Sequence, residues 1–259
     1  MKKIKYSLFI NKLPKEMIEH IVKYLKLKDI SLLYKTTKKF KYIFSFVKEI
    51  DLKLKKNIKF NLDDFTNINE IKLFGMDLDN NHSSTLLKSL KKLTKLSIYL
   101  LKFKGYEKFI HKLIINNKST LKYLKVFISE RFGYNVGNKE LCVFENSLPY
   151  LCQLETLFID NYWGCFVMKN YNIKNLKNLQ VVHLSFVYWD QDLRYLPNTI
   201  KELSINGCII GVNFDYIFDY FKNLKKINLD NYTDMTLFSE KCNKNNIIHI
   251  KDVIKFDDL

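Results

Sequence analysis

From residue 47 onward, apolar residues return in a short fixed figure, apolar-x-x-apolar-x-apolar. It is filled by Val47/Ile50/Leu52, Ile68/Ile71/Leu73, Leu93/Leu96/Ile98 and Leu121/Leu124/Val126. It continues in Leu154/Leu157/Ile159, Leu179/Val182/Leu184, Ile200/Leu203/Ile205 and Leu224/Ile227/Leu229, and, with a polar first place, in Asn245/Ile248/Ile250. Successive starts lie 21, 25, 28, 33, 25, 21, 24 and 21 residues apart. The last two apolar residues of each figure are two apart, which puts them on one face of a strand. The pattern therefore predicts short strands, each returned to the next by a helix or an irregular turn. "SSTLLKSLKK", "YEKFIHKLIINN" and "FDYIFDYFKN" supply such returns, and in the second Phe109, Leu113 and Ile114 recur at helical spacing. The step of 33 marks an insertion near "SERFGYNVGNKE". One unit cannot bury its apolar face alone, so the units are expected to stack.

Before residue 47 the period is helical. After Leu13 and Pro14, where proline suits a helix start, Met17, Ile18, Ile21, Val22 and Leu25 share one face. Asp29 suits the N-cap of a second helix carrying Ile30, Leu32 and Leu33. Thr36 or Thr37 can start a third with Phe40, Ile43 and Phe44. The chain thus divides into a helical segment, 8–46, and a repeat segment, 47–259. A unit of about forty residues is too small to be robust by itself, so it must lean on the first repeat or on a partner.

The repeat resembles the leucine-rich-repeat family, whose units run about twenty to twenty-nine residues. The resemblance implies an α/β fold, a curved solenoid with short parallel strands lining its concave face. The family carries Asn or Cys three residues after the last strand leucine. That place here holds Met76, Leu101, Tyr162, Val187 and Tyr232, and only Cys208 fits, so the repeats are degenerate. "YLPNTIKELSING" is also similar to the FNIP-type repeats of amoebae and of viruses that infect them. The order "LPKEMIEHIVKYLKLKDISLLYKTTKKFKYI" resembles an F-box. Leu13, Pro14, Glu16, Ile18, Ile21, Leu25, Asp29, Leu32, Leu33, Lys38 and Phe40 stand where that pattern wants them. Ile30 replaces a Leu, and Thr36 to Phe40 replace the usual Val-Cys-Lys-x-Trp.

An F-box implies a three-helix unit docked on a Skp-type adaptor and, through it, on a cullin in a ubiquitin ligase. The repeats would then hold an unknown protein target. By position, Leu13, Pro14, Ile18, Ile21 and Val22 would face the adaptor, although the sequence does not separate outward from inward members of that helix. The alternative is a repeat scaffold whose N-terminal helices only cap the solenoid. On the concave face, Phe74, Tyr99 and Phe127 fall in the column after the last strand position, followed by Asp160 and Asp230. Phe158, with His183 and His249, falls in the column between the two strand positions. Clustered aromatics on such a face are candidate hot spots, so Phe74, Tyr99, Phe127, Phe158 and Asp160 are the expected target-binding residues. A lone carboxylate there is ordinarily solvated.

Composition changes this picture little. The formal charge is +16, but Arg131 and Arg194 are the only arginines among 43 basic residues, and alanine is absent. That bias fits an AT-rich genome, such as that of a protist or a large DNA virus of one. Base readout favours Arg, so nucleic acid is not the expected partner, and a basic RNA-associated repeat protein stands only as a third reading. "GYNVGNK" has the wrong spacing for a phosphate loop, and the histidines His20, His82, His111, His183 and His249 are scattered. No catalytic residue, metal site or cofactor is expected. The five cysteines form no C-x-x-C pair and read as reduced thiols. The apolar part of "MKKIKYSLFINKLP" is too short for a secretory signal, and no apolar run reaches membrane-spanning length. The expected location is the cytoplasm or nucleus, or the host cytoplasm for a viral protein.

Overall fold

The computed structural model describes residues 13–25, 49–53, 67–74, 90–100, 107–128, 146–161, 166–167, 173–185, 187–188, 193–206, 216–229 and 235–249. Its strands are β1 (Glu49–Lys53), β2 (Glu70–Phe74), β3 (Lys95–Leu100), β4 (Tyr123–Ile128), β5 (Thr156–Asn161) and β6 (Phe166–Val167). They continue with β7 (Val181–Ser185), β8 (Val187–Tyr188), β9 (Glu202–Asn206), β10 (Lys226–Leu229) and β11 (Ile248–His249). The helices are α1 (Lys15–Tyr24), α2 (Glu107–Asn116), α3 (Ile217–Tyr220) and α4 (Met235–Lys244), with 3-10 turns at Leu148–Tyr150 and Leu193–Tyr195. The protein is α/β, built on one nine-stranded sheet in the order β1-β2-β3-β4-β5-β7-β9-β10-β11. All of its strand pairs are parallel. Each strand lies beside the next one in this series, so the backbone advances one coil at a time. β6 and β8 form a separate parallel pair, and Val187, one of the places where the family pattern wants Asn, lies in it opposite Phe166.

The register follows the sequence figure. Ile50, Ile71, Leu96, Leu124, Leu157, Val182, Leu203 and Ile227 stand in one row, each the register partner of the next. Two residues on, Leu73, Ile98, Val126, Ile159, Leu184, Ile205 and Leu229 stand in a second row and are buried. A fully buried aliphatic side chain contributes roughly 1.5–3 kcal/mol, and a slip by one residue would send a whole row to the other face. That is why the apolar figure sets the pairing. The returns fill the layer behind the sheet. α2 buries Phe109, Ile110, Leu113 and Ile114 there. Elsewhere Leu148/Leu151, Ile173/Leu176, Leu193/Leu196 and Ile217/Phe221 do the same work.

Polar atoms join the coils as well. The carbonyl of Thr94 accepts from the N–H groups of Lys122 and Tyr123, that of Lys122 from Glu155 and Thr156, and that of Glu155 from Gln180 and Val181. Asn117, fully buried, donates through Nδ2 to the carbonyls of Leu90 and Leu113 and accepts at Oδ1 from the Leu93 N–H, each at 2.8 Å. Sequence reading gave Asn117 no role, because two of its partners, Leu90 and Leu93, lie one coil away.

One strand departs from the expected register. Ile227 pairs with His249 and Lys226 with Ile248, so the ninth figure is shifted by one residue. Ile248 is 61% exposed, whereas Ile247 is buried. The cause is the end of α4. Asn246 has φ of 56°, the left-handed conformation that Asn tolerates after a helix. The Ile247 N–H then bonds the Cys242 carbonyl at 2.9 Å and the Asn246 N–H bonds the Asn243 carbonyl at 3.1 Å. This is a Schellman cap, and it seats Ile247 against buried Cys242. The next residue, Ile248, must point outward. His249 is therefore not in the outer column but packs edge-on to Phe238 at 5.1 Å and shares a 3.0 Å hydrogen bond with Ser239 Oγ.

α1 begins where Pro14 predicts, with the Pro14 carbonyl accepting from the Met17 and Ile18 N–H groups. Glu16 sits in the first turn, favourably placed at the positive end of the helix. The proposed second and third helices, from Asp29 to Phe44, lie outside the described residues, as do the insertion near 129–140, Met76, Leu101, Tyr162, Cys208, Asp230 and Tyr232. No helix among the described residues is long and apolar enough to cross a membrane.

Candidate functional site

The face of the sheet opposite the aliphatic rows carries every candidate target-binding residue. Strand alternation puts two columns there. One runs Phe74, Tyr99, Phe127, Asp160, Ser185 and Asn206 in register, the other Lys72, Ser97, Lys125, Phe158, His183, Ser204 and Asn228. Phe74, Tyr99, Phe127 and Phe158 are half-buried. Phe74 and Tyr99 stack with ring centroids 4.5 Å apart and planes 10° from parallel, and Tyr99 meets Phe127 at 6.2 Å. Phe158 lies 5.8 Å from Tyr123 and 5.3 Å from the His183 ring. The expected aromatics therefore form two ring clusters, Phe74–Tyr99–Phe127 and Phe158 with His183, and Tyr123 is an addition to the second.

Lys125 ties the two clusters together. Its Nζ stands 5.8 Å from the Tyr99 ring and 5.9 Å from the Phe158 ring, a cation held against two π-faces. Only 4% of Lys125 is exposed. Burial lowers its pKa, against the pull of Asp160. Asp160 corrects the expectation of a solvated carboxylate, being 5% exposed. Burial pushes its pKa up to about 6, and the Lys125 charge holds it from going higher. His183 is driven down to about 4 by burial first and by Lys125 second, so its imidazole is neutral at pH 7. Tyr123 is raised, mainly by burial. Sequence reading placed His183 in the right column but gave it no role, and it did not single out Lys125, because their burial depends on neighbouring strands.

Among the described residues, serine and histidine meet three times. His183 Nε2 and Ser185 Oγ are 2.9 Å apart, His111 Nδ1 and Ser147 Oγ 2.7 Å, and Ser239 Oγ and His249 Nδ1 3.0 Å. Ser147 is fully buried. Ser185 lies in β7, between β5 and β9, where the backbone amides are engaged in the parallel ladders. No cluster of three His, Cys, Asp or Glu suited to a metal occurs among the described residues.

The second candidate surface is α1. Ile18 and Val22 are 3% and 4% exposed and belong to the apolar core, with Leu13 and Leu25 partly buried against it. Pro14 is exposed. Ile21 stands outside at 37%, with Met17 at 51% and Tyr24 at 77%. Of the residues expected to face an adaptor, Ile18 and Val22 therefore point inward, and Met17 and Tyr24 take their places beside Ile21. The i, i+4 pair Ile18/Val22 and the i, i+4, i+7 stripe Met17/Ile21/Tyr24 occupy different sides of the helix. A scan against models of known protein families gives no match for this chain, and a search of curated proteins gives none either.

Proposed function

We propose that the chain is a substrate-recruiting F-box protein with degenerate leucine-rich repeats. Its N-terminal helices dock on a Skp-type adaptor, and the outer, concave face of its repeat solenoid holds a target protein. Its mechanism is proximity, two binding surfaces on one body that bring the target near a ubiquitin-conjugating enzyme. It acts in the cytoplasm or nucleus, of the host if the chain is viral. The observation that carries the reading is α1. A helix begun by Leu13-Pro14 buries Ile18 and Val22 and leaves the apolar stripe Met17, Ile21 and Tyr24 exposed, on a molecule with separate aromatic clusters. An isolated apolar residue on a surface needs no explanation, but three on one helix face suit a partner.

The test is capture of a Skp-type adaptor by the full chain, beside Met17→Ala/Ile21→Ala/Tyr24→Ala. All three side chains are exposed, so the variant should keep the parent's fold by circular dichroism. Removing three interface anchors is expected to weaken binding about 100-fold. If the folded parent captures no adaptor from plausible hosts, the ligase reading fails and the chain is a repeat scaffold with a helical cap.

A further inference from the structure

Three buried polar atoms on the outer face have no hydrogen-bond partner, Asp160 Oδ1, His183 Nδ1 and Asn206 Nδ2. Their residues are 5%, 5% and 3% exposed and stand on three successive strands of the sheet, β5, β7 and β9. Asp160, Ser185 and Asn206 are register partners in one row. Asp160 and Asn206 are thus two strand spacings apart, roughly 9–10 Å at the backbone. Ser185, a small side chain itself 4% exposed, lies between them and is bonded to His183 Nε2. Of the two outer members of the row, Asp160 offers an acceptor and Asn206 a donor. Burying such atoms without partners costs stability, so a group that satisfies Asp160 and Asn206 together is favoured there.

Charge narrows the choice. Lys125 already balances Asp160, so an added cation would crowd the lysine and an added carboxylate would face the aspartate. A neutral group with an N–H on one side and a C=O on the other fits both residues. Resting on the reading of this face as the target site, we propose that Asp160, Ser185 and Asn206 form a slot for the primary carboxamide of an Asn or Gln in an extended target segment. The Asp160 and Asn206 side chains turn outward to meet it, Asp160 accepting from its NH2 and Asn206 donating to its C=O. The same row continues into Phe127, Tyr99 and Phe74. Phe127 lies two strand spacings from Ser185, which at about 3.3 Å per extended residue puts an apolar target residue about three positions from the carboxamide.

The test selects linear peptides from a random phage-displayed library on the full chain, then titrates a selected synthetic peptide against variants of matched thermal midpoint. Selected peptides should carry Asn or Gln about three residues from an aromatic or aliphatic residue. Asn206→Leu should weaken binding about tenfold or more. Asp160→Asn, whose carbonyl still accepts, should change it by less than about threefold. Should Asn206→Leu fold poorly, Ser185→Val sets a bulkier apolar side chain between the two polar ones and is expected to weaken binding as much. A selection dominated by Lys or Arg, with Asp160→Asn the damaging change, overturns the slot. So do peptides indifferent to all three variants, or a library that yields no binder. None of these variants touches Met17, Ile21 or Tyr24, so adaptor capture by the same proteins separates failure of the slot from failure of the ligase reading.

Discussion

Asp160 and His183 oppose one another in how they link stability to pH. Asp160 takes up a proton more readily folded than unfolded, its pKa rising from 3.8 to about 6. Its contribution is therefore fully present below about pH 4 and is lost as pH rises to about 6. His183 binds its proton less readily when folded, falling from 6.5 to about 4. Its contribution is present above 6.5 and lost as pH falls to about 4. The two changes span nearly the same window with opposite signs, so they offset one another in the parent, with Lys125 the charged group facing both. Asp160→Asn should steepen the rise of the thermal midpoint between about pH 4 and 6.5, and His183→Asn should turn it toward a fall. Midpoints measured across that window check both. Two variants whose pH slopes match the parent's would mean that neither group titrates in this way. Neither shift was legible in the sequence. A carboxylate in an outward column reads as solvated until the strands on both sides are known to shut water out.

Among the elements, β11 shows how a local motif overrides a periodic one. The sequence figure put Ile248 inside, but the Schellman cap of α4 turns the chain one residue earlier. Replacing Ile248 by Ser should therefore alter stability by less than about 0.5 kcal/mol, while Ile247→Ala should cost about 2–4 kcal/mol. Urea unfolding of the two variants measures this, and the reverse order would restore the periodic register. The signal was present in "KCNKNNII", a helix followed by Asn at the left-handed place, yet the apolar spacing was the louder pattern. α1 teaches the same lesson at another level. Its period put Met17, Ile18, Ile21, Val22 and Leu25 on one face, but in the structure they divide between two sides. Only the packing of Ile18 and Val22 into the core decided that Met17, Ile21 and Tyr24 face out.

Across the whole molecule, charge and architecture pull on different partners. A formal charge of +16 attracts polyanions without selecting among them. Binding to a random DNA or RNA oligonucleotide should therefore fall at least about tenfold between about 50 and 200 mM salt, leaving no submicromolar complex. A mobility-shift titration at the two salts reads it, and tight, salt-resistant binding to one RNA would favour the basic RNA-associated reading instead. The exposed ion pairs Lys95–Glu70, Lys122–Glu155 and Lys226–Glu202, at 3.2, 2.7 and 2.9 Å, each join neighbouring coils and contribute little individually. The cohesion of the sheet comes from the aliphatic rows behind it.

What the sequence by itself determined was the succession of strands. Aliphatic residues two apart, returning every twenty to thirty residues, leave a stacked parallel sheet as the way to bury them all, and eight of nine figures pair in the expected register. It also placed Phe74, Tyr99, Phe127, Phe158 and Asp160 on the opposite face, because alternation along a strand is a local property. Tertiary structure decided the rest. It seated Lys125 between two rings, closed Asp160, His183 and Asn206 from water and chose the outward stripe of α1. Each of these depends on residues a coil away, and burial, unlike periodicity, is set by neighbours that the local pattern does not name.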